Sequence, residues 1–221
     1  MTSVRAVLFG LAAAACGAAP PRSEPAPPAG DGAGLLQADA DAPPGATTYE
    51  RPAWQVGDRF TLVRGGVLAA EFEVVAADAG GYFVRGPGGV RLRRDLDLAN
   101  LGEWHPDRDE PQHVLAPRDV RFHWPLWVGK RWSCEYVDRA AGQPALRTRA
   151  SYLVEDLDTV TVEAGTFAAL RIVRTLQLPD AGDRVLTRTQ VIWYAPGPGL
   201  EVRQILGDSA VDLVAFARRG D

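Results

Sequence analysis

The chain has 221 residues, 46% of them hydrophobic and 24% charged, which suits one globular domain with appendages and leaves room for a packed core. A formal net charge of −4 excludes the basic face that nucleic-acid binding needs, so no nucleic-acid partner is expected. Positive charge comes almost wholly from Arg, with Lys130 the only Lys, and no polybasic patch is present to grip a membrane surface.

The first element reads as an export signal. "MTSVRAVLFGLAAAAC" carries one cation, Arg5, and then an apolar run from Ala6 to Ala15. That run is too short for a bilayer span, which takes about 20 residues, but it suits the apolar region of a secretory signal over residues 1–15. It ends in small residues directly before Cys16 and resembles a bacterial lipoprotein signal, in which the Cys is acylated and becomes the first residue. Ala13 stands where that signal usually has Leu, and cleavage after an Ala-x-Ala site is the alternative. Lipidation of Cys16 is the reading adopted, because an export signal ending in Cys is otherwise a coincidence. Gly17 in place of Asp resembles lipoproteins sorted to the outer membrane, with the domain facing the periplasm or the cell surface. Residues 16–50 are rich in Pro, Ala and Gly and nearly free of aromatics, so they are expected to form a disordered tether.

The domain is expected over 51–218, where the texture changes to short alternating runs broken by Gly, Pro and Asp. Segments 58–65, 69–78 and 81–86 have strand length and composition, and the pattern resumes at 130–138, 146–156, 167–178 and 183–194, then at 200–206 and 209–217. No comparable stretch has a helical period. The expected fold class is all-β: an antiparallel meander forming a half-barrel or a barrel-like sheet, so that its apolar face is covered. "WQVGDRF" (54–60) and "LWVGKRW" (126–132) share Val-Gly-x-Arg-aromatic, and each is followed by Gly-x-Phe, at Gly81–Phe83 and Gly165–Phe167. Two pseudo-repeats are one reading and chance reuse of a turn is the other. Residues 103–118 show no period and are expected to join the halves, 51–102 and 119–218, as a long loop.

Few motifs carry chemistry. "WYAPGPGLEV" (193–202) packs two Pro and two Gly between strand-like runs, with none of the Lys, Ser or Thr of a phosphate loop in it and no helix following. Its prolines also remove donors that a phosphate nest uses, so a turn is expected, with Gly197 and Gly199 both in angles that other residues resist. His105 and His113 with Asp107, Asp109 and Glu110 match no metal-ligand template, and solvated loop charge is the plainer reading. Cys134 shares a strand face with Trp132 and Tyr136 and reads as packing. "DLDLAN" (95–100) reads as an edge or turn with exposed Asp. Gly-x-Ser-x-Gly, Ser-x-x-Lys and His-Glu-x-x-His do not occur, and no catalytic residue, metal or cofactor is assigned. Trp124, Trp127, Trp132 and Trp193 either fill the concave core or line a cleft for an apolar ligand; Trp193, in an apolar strand flanked by Val191 and Ile192, is the one most expected in the core.

"PLWVGKRWSCEY", "VEAGTFAALRIVRT" and "WYAPGPGLEVRQ" occur in that order over 125–204. Together they resemble a large group of exported bacterial proteins of unknown function that read Pro-Leu-x-Val-Gly-x-x-Trp, Val-x-Ala-Gly-Thr-Phe and Trp-Tyr-Ala-Pro-Gly-x-Gly. The resemblance implies an envelope location and a curved antiparallel sheet similar to the lipoprotein-carrier fold, and it brings no catalytic residues. The functional expectation is a non-catalytic, lipid-anchored envelope protein, held to the membrane through its N-terminal lipid, that binds a partner or supports assembly at the outer membrane. A carrier of an apolar ligand such as an acyl chain is the alternative, and a hydrolase or metal enzyme the third reading.

Replacing Cys16 by Ser is expected to move the protein from the membrane fraction to the soluble fraction. Labelled palmitate should enter the wild type only. Equal fractionation of the two forms, or an unlabelled wild type, would contradict acylation.

Overall fold

The computed structural model describes residues 34–179 and 184–219, so the signal sequence and Cys16 lie outside the described residues. The strands in chain order are β1 (Leu35–Ala38), β2 (Arg59–Arg64), β3 (Leu68–Asp78), β4 (Gly81–Arg85), β5 (Arg91–Arg94), β6 (Asn100–Trp104) and β7 (His113–Asp119). They continue with β8 (Arg131–Ala140), β9 (Leu146–Val162), β10 (Gly165–Pro179), β11 (Val185–Ala195), β12 (Leu200–Leu206) and β13 (Ser209–Ala217). From β2 onward each strand pairs antiparallel with the next, and β13 returns to β2 through pairs such as Leu213 with Leu62. Twelve strands therefore close into an up-and-down barrel. Closure satisfies the sheet edges that an open meander would leave bare.

Every segment expected as a strand forms one. The loop expected over 103–118 is corrected: β6 runs to Trp104 and β7 begins at His113, leaving only residues 105–112 between them. Three prolines, Pro106, Pro111 and Pro117, break the alternation there and hide the strands. Pro117 is tolerated because β7 pairs with β8 only as far as Ala116–Val137, so its missing N–H removes no ladder bond. Beyond that point β1 takes over the edge of β8, with Leu35 opposite Cys134 and Ala38 opposite Trp132. The C-terminal part of the segment read as a tether is thus attached to the barrel, and Tyr49 adds a bridge to Leu126.

The two Val-Gly motifs are geometrically equivalent. Gly57 and Gly129 have φ of 98° and 99°, and their amides donate to the carbonyls of Val74 and Val154, each at 2.7 Å. Asp58 and Lys130 accept from those same valines at 2.9 Å. One strand on, Phe60 stacks on Phe72 at 5.1 Å and Trp132 stacks on Tyr152 at 4.9 Å. Gly81 and Gly165, at φ 129° and 138°, then start β4 and β10. The starts of the two halves, β2–β4 and β8–β10, are accordingly built alike. They differ in reach: β9 and β10 have 17 and 15 residues against 11 and 5 for β3 and β4.

Residues 196–199 form the turn between β11 and β12. Gly199 has φ of 67°, and a Cβ there would meet Pro52 Cβ at 2.8 Å. Gly197 is a correction: it lies outside the left-handed region and a Cβ would meet nothing within 4 Å, because it sits at the open tip of the turn. Gly199→Val is therefore expected to cost about 1–3 kcal/mol of unfolding free energy, and Gly197→Ala less than about 0.5 kcal/mol. Equal losses in urea titrations of the two variants would contradict this turn geometry.

Candidate functional site

The lumen of the barrel holds an unusual amount of charge, placed by strand alternation. On β10, Arg174 is in phase with buried Ile172, Leu176 and Leu178, so its guanidinium must enter the core. Asp119 ends β7 in phase with buried Leu115. The two meet as a buried ion pair, and Arg174 Nη2 also donates to Tyr136 Oη at 2.9 Å. Its Nε donates to Tyr152 Oη at 3.0 Å and its Nη1 to Gln190 Oε1 at 3.1 Å. Tyr152 donates its hydroxyl proton to Asp119, and Cys134 points its thiol at the same carboxylate from 3.8 Å. Burial and that neighbouring carboxylate push the Cys134 thiol up to about 12, which disfavours a nucleophilic thiolate.

A second charged centre lies further along the lumen. The chain between β7 and β8 carries Val120, Phe122, Leu126 and Trp127, all buried. Arg121, on this same segment, reaches Glu201 of β12 through two hydrogen bonds, one from Nη2 at 2.7 Å. Glu201 faces inward because of a bulge: Trp193 pairs with Arg203 but Tyr194 with Glu201, skipping Val202. Gln204 links the two centres, donating to Glu201 and accepting from Gln190 Nε2 at 2.9 Å.

Beside this centre is a cavity of about 40 Å3 walled by Trp54, Phe60, Leu98, Phe122, Tyr194 and Leu200, with Arg94, Glu201 and Gln204 as its polar lining. On the outer face, a groove of about 530 Å3 lies where β1 meets β8, β9 and β10. Gln37, Asp39, Arg131, Ser133, Arg149, Ser151, Thr175 and Gln177 line it. Trp132, Tyr152, Leu153 and Val173 complete the lining, so the groove presents mainly hydrogen-bonding groups with a few apolar ones beside them.

The structure distributes the four tryptophans rather than gathering them into a cleft. Trp132 and Trp127 are buried; Trp132 Nε1 donates to Val120 O at 2.7 Å, and Lys130 Nζ lies 4.2 Å from the Trp127 ring centre. Burial draws the Lys130 amine down to about 8. Trp124 is half-buried, stacked on Phe122 and edge-on to Tyr194. Trp193 is corrected from the core: Ile192 and Tyr194 point inward, so Trp193 points outward, half-buried, its Nε1 donating to Asp158 at 2.8 Å. None of the four lines the lumen cavity. His113 sits on β7, not in a loop, and is bonded to Asp138 at 2.6 Å, which raises its pKa. Asp95, expected exposed, is buried: it accepts from Arg118 and from the Ala99 amide at 2.8 Å, holding the turn before β6.

Arg174, Asp119, Arg94 and Glu201 were missed by the sequence reading. Alternation alone signals Arg174 and Asp119, which fall on the apolar phase of their strands; Glu201 is hidden because the bulge inverts its phase.

No protein-family model matches the sequence, and no curated protein matches it. Among solved structures, the chain is similar to the hypothetical lipoprotein YmcC of Escherichia coli, with TM-score 0.49 and 8% identity over 73% of this chain and 86% of that one. It is also similar to a candidate lipoprotein of Parabacteroides distasonis, with TM-score 0.46 and 11% identity over 77% and 100% of the two chains. A candidate exported protein with a YmcC-like fold from Bacteroides fragilis gives TM-score 0.40 and 13% identity over 78% and 100%.

Asp119→Asn should strand Arg174 without an anion and cost about 3–5 kcal/mol in urea unfolding. Asp212→Asn, which breaks the half-exposed Arg203–Asp212 pair on the outer face, should cost about 0–1 kcal/mol. Similar small losses for both would contradict a structural role for the lumen network.

Proposed function

We propose that this protein is a non-catalytic, lipid-anchored component of the bacterial outer membrane that engages a protein partner with the outer face of its barrel. The observation that carries the reading is the filled lumen. Stacked aromatics, the Asp119–Arg174 network and the β7–β8 segment occupy it, and the cavity of about 40 Å3 is an order of magnitude below the roughly 300–1,000 Å3 of ordinary ligand pockets. An acyl chain has no room in that cavity, and the larger outer groove is lined mainly by polar side chains, which counts against the carrier alternative. Asp119, Arg174, Tyr152, Arg121 and Glu201 are engaged with one another, which supports a structural role for them rather than acid–base chemistry.

The outer groove is the contact surface in this reading. It is bounded by β1, the strand nearest Cys16 in sequence. Residues 17–34 span at most about 60–65 Å when fully extended, so acylated Cys16 would keep the groove within that distance of the bilayer. The partner is accordingly a polar segment of a membrane-associated protein.

A photoactivatable side chain at Ser151 or Thr175, in the groove, should give a discrete cross-linked product in the native host, and one at Val67, exposed on the β2–β3 turn, should not. The product should disappear when Cys16 is replaced by Ser. No product from the groove, or the same products from all positions, would overturn the reading.

A further inference from the structure

We infer that the lumen cavity beside Glu201 is a binding site for a small monovalent anion of chloride size, held by Arg94 and Tyr194. Arg94 is placed inward by β5: it pairs with Tyr82, which faces the core, and shares a phase with buried Leu92. Its guanidinium lies 5.7 Å from the Trp54 ring centre. Its Nε is buried with no hydrogen-bond partner, and so is the hydroxyl of Tyr194, a residue only 1% exposed. Both residues line the same cavity. A buried donor left unpaired is unfavourable, and more so when it is charged.

The surrounding charges favour an anion as the partner of these donors. Arg121 is matched by Glu201, Arg174 by Asp119, and Arg118 by Asp95. Arg94 makes no salt bridge of its own among the described residues; Glu201 and Asp95 act on its charge only through space, and each is bonded to another arginine. Glu201, the nearest carboxylate in the lining, already accepts from Arg121 and Gln204 at its two oxygens. Burial keeps the Tyr194 phenol protonated and therefore a donor. Two donors, one of them cationic, facing a small cavity call for an acceptor, and the positive charge of Arg94 favours one that is negative. A volume of about 40 Å3 fits a monatomic ion and excludes a sugar or a nucleotide.

The wall is also strained where it meets Arg94. Leu98 is fully buried and has φ of 67°, a left-handed conformation that a leucine adopts only when its surroundings impose it. That geometry turns the Leu98 carbonyl to Arg94 Nη1 at 3.4 Å, which fixes the guanidinium at the cavity. This site does not depend on the partner-binding reading, because it lies in the lumen rather than on the outer face.

The test is crystallographic and thermodynamic. Crystals of the full domain soaked in sodium bromide should show an anomalous peak within hydrogen-bonding distance of Arg94 Nε and Tyr194 Oη. Raising chloride at constant ionic strength, with fluoride as the balancing anion, should raise the Tm of the wild type. Tyr194→Phe, which keeps the ring and the packing, should weaken the half-saturating chloride concentration by about tenfold. Arg94→Gln should abolish the chloride response. A cavity holding water only, with no bromide peak, would overturn the site, as would a chloride response unchanged in Tyr194→Phe. If Arg94→Gln does not fold, the bromide map and Tyr194→Phe decide the question.

Discussion

Twelve strands closed on one another leave no free edge, but they enclose a lumen wider than one ring of side chains fills, since about eight strands is the size at which that happens. The rest of the architecture answers this constraint. Aromatic pairs, Phe60 on Phe72 and Trp132 on Tyr152, supply large planar fillers on the two sides. The β7–β8 segment carries buried Phe122 and Leu126, and its Arg121 grips Glu201 on β12. The remaining space is bridged by long polar side chains, among which Arg174 is hydrogen-bonded through Nε, Nη1 and Nη2. A guanidinium spans more distance than any apolar side chain of similar volume and can satisfy several acceptors at once. Its burial is tolerable only because Asp119 neutralises it and the two tyrosines and Gln190 complete its hydrogen bonds.

The strands that open the two halves of the barrel share one plan, and the differences between them locate the specialised regions. Equivalent positions after the two Val-Gly turns carry opposite charge. Asp58 is paired with Arg218 at 3.0 Å and accepts the Arg219 amide at 2.7 Å, so the C-terminal end of β13 is tied to the first turn. Lys130 instead donates to Pro125 O at 2.6 Å, tying the second turn to its own preceding segment. The longer β9–β10 hairpin folds back to β13, where Phe167 meets Phe216 at 6.0 Å and the Ala164 amide reaches Leu213 O at 3.3 Å. Its outer face, together with β1, makes the groove.

Much of the fold was legible because inward and outward residues alternate strictly wherever strands are long and free of Pro. That holds for Trp132, Cys134 and Tyr136, whose shared inward face was read directly from "RWSCEY". It also exposed the repeat, since a Gly with φ near 98° after Val leaves the same sequence trace at both turns. Legibility failed where the period breaks. Pro117 sits where β8 has turned to β1, so β7 looked like a loop. The bulge at Val202 inverted the phase of Glu201. Trp193 was misplaced because hydrophobicity, not phase, guided its assignment, although its strand neighbours Ile192 and Tyr194 already fixed it outward. Arg94 is inward on a four-residue strand whose neighbours Arg91 and Arg93 face outward, and composition gives no sign of the difference.

Native-state amide hydrogen exchange read strand by strand tests the closed, filled barrel most directly. The amides that pair β2 with β13, around Leu62 and Leu213, should exchange as slowly as those pairing β10 with β11 around Ile172 and Ile192, all opening only with global unfolding. Fast, edge-like exchange on β2 and β13 while β10 and β11 stay protected would contradict closure, and with it the filled lumen.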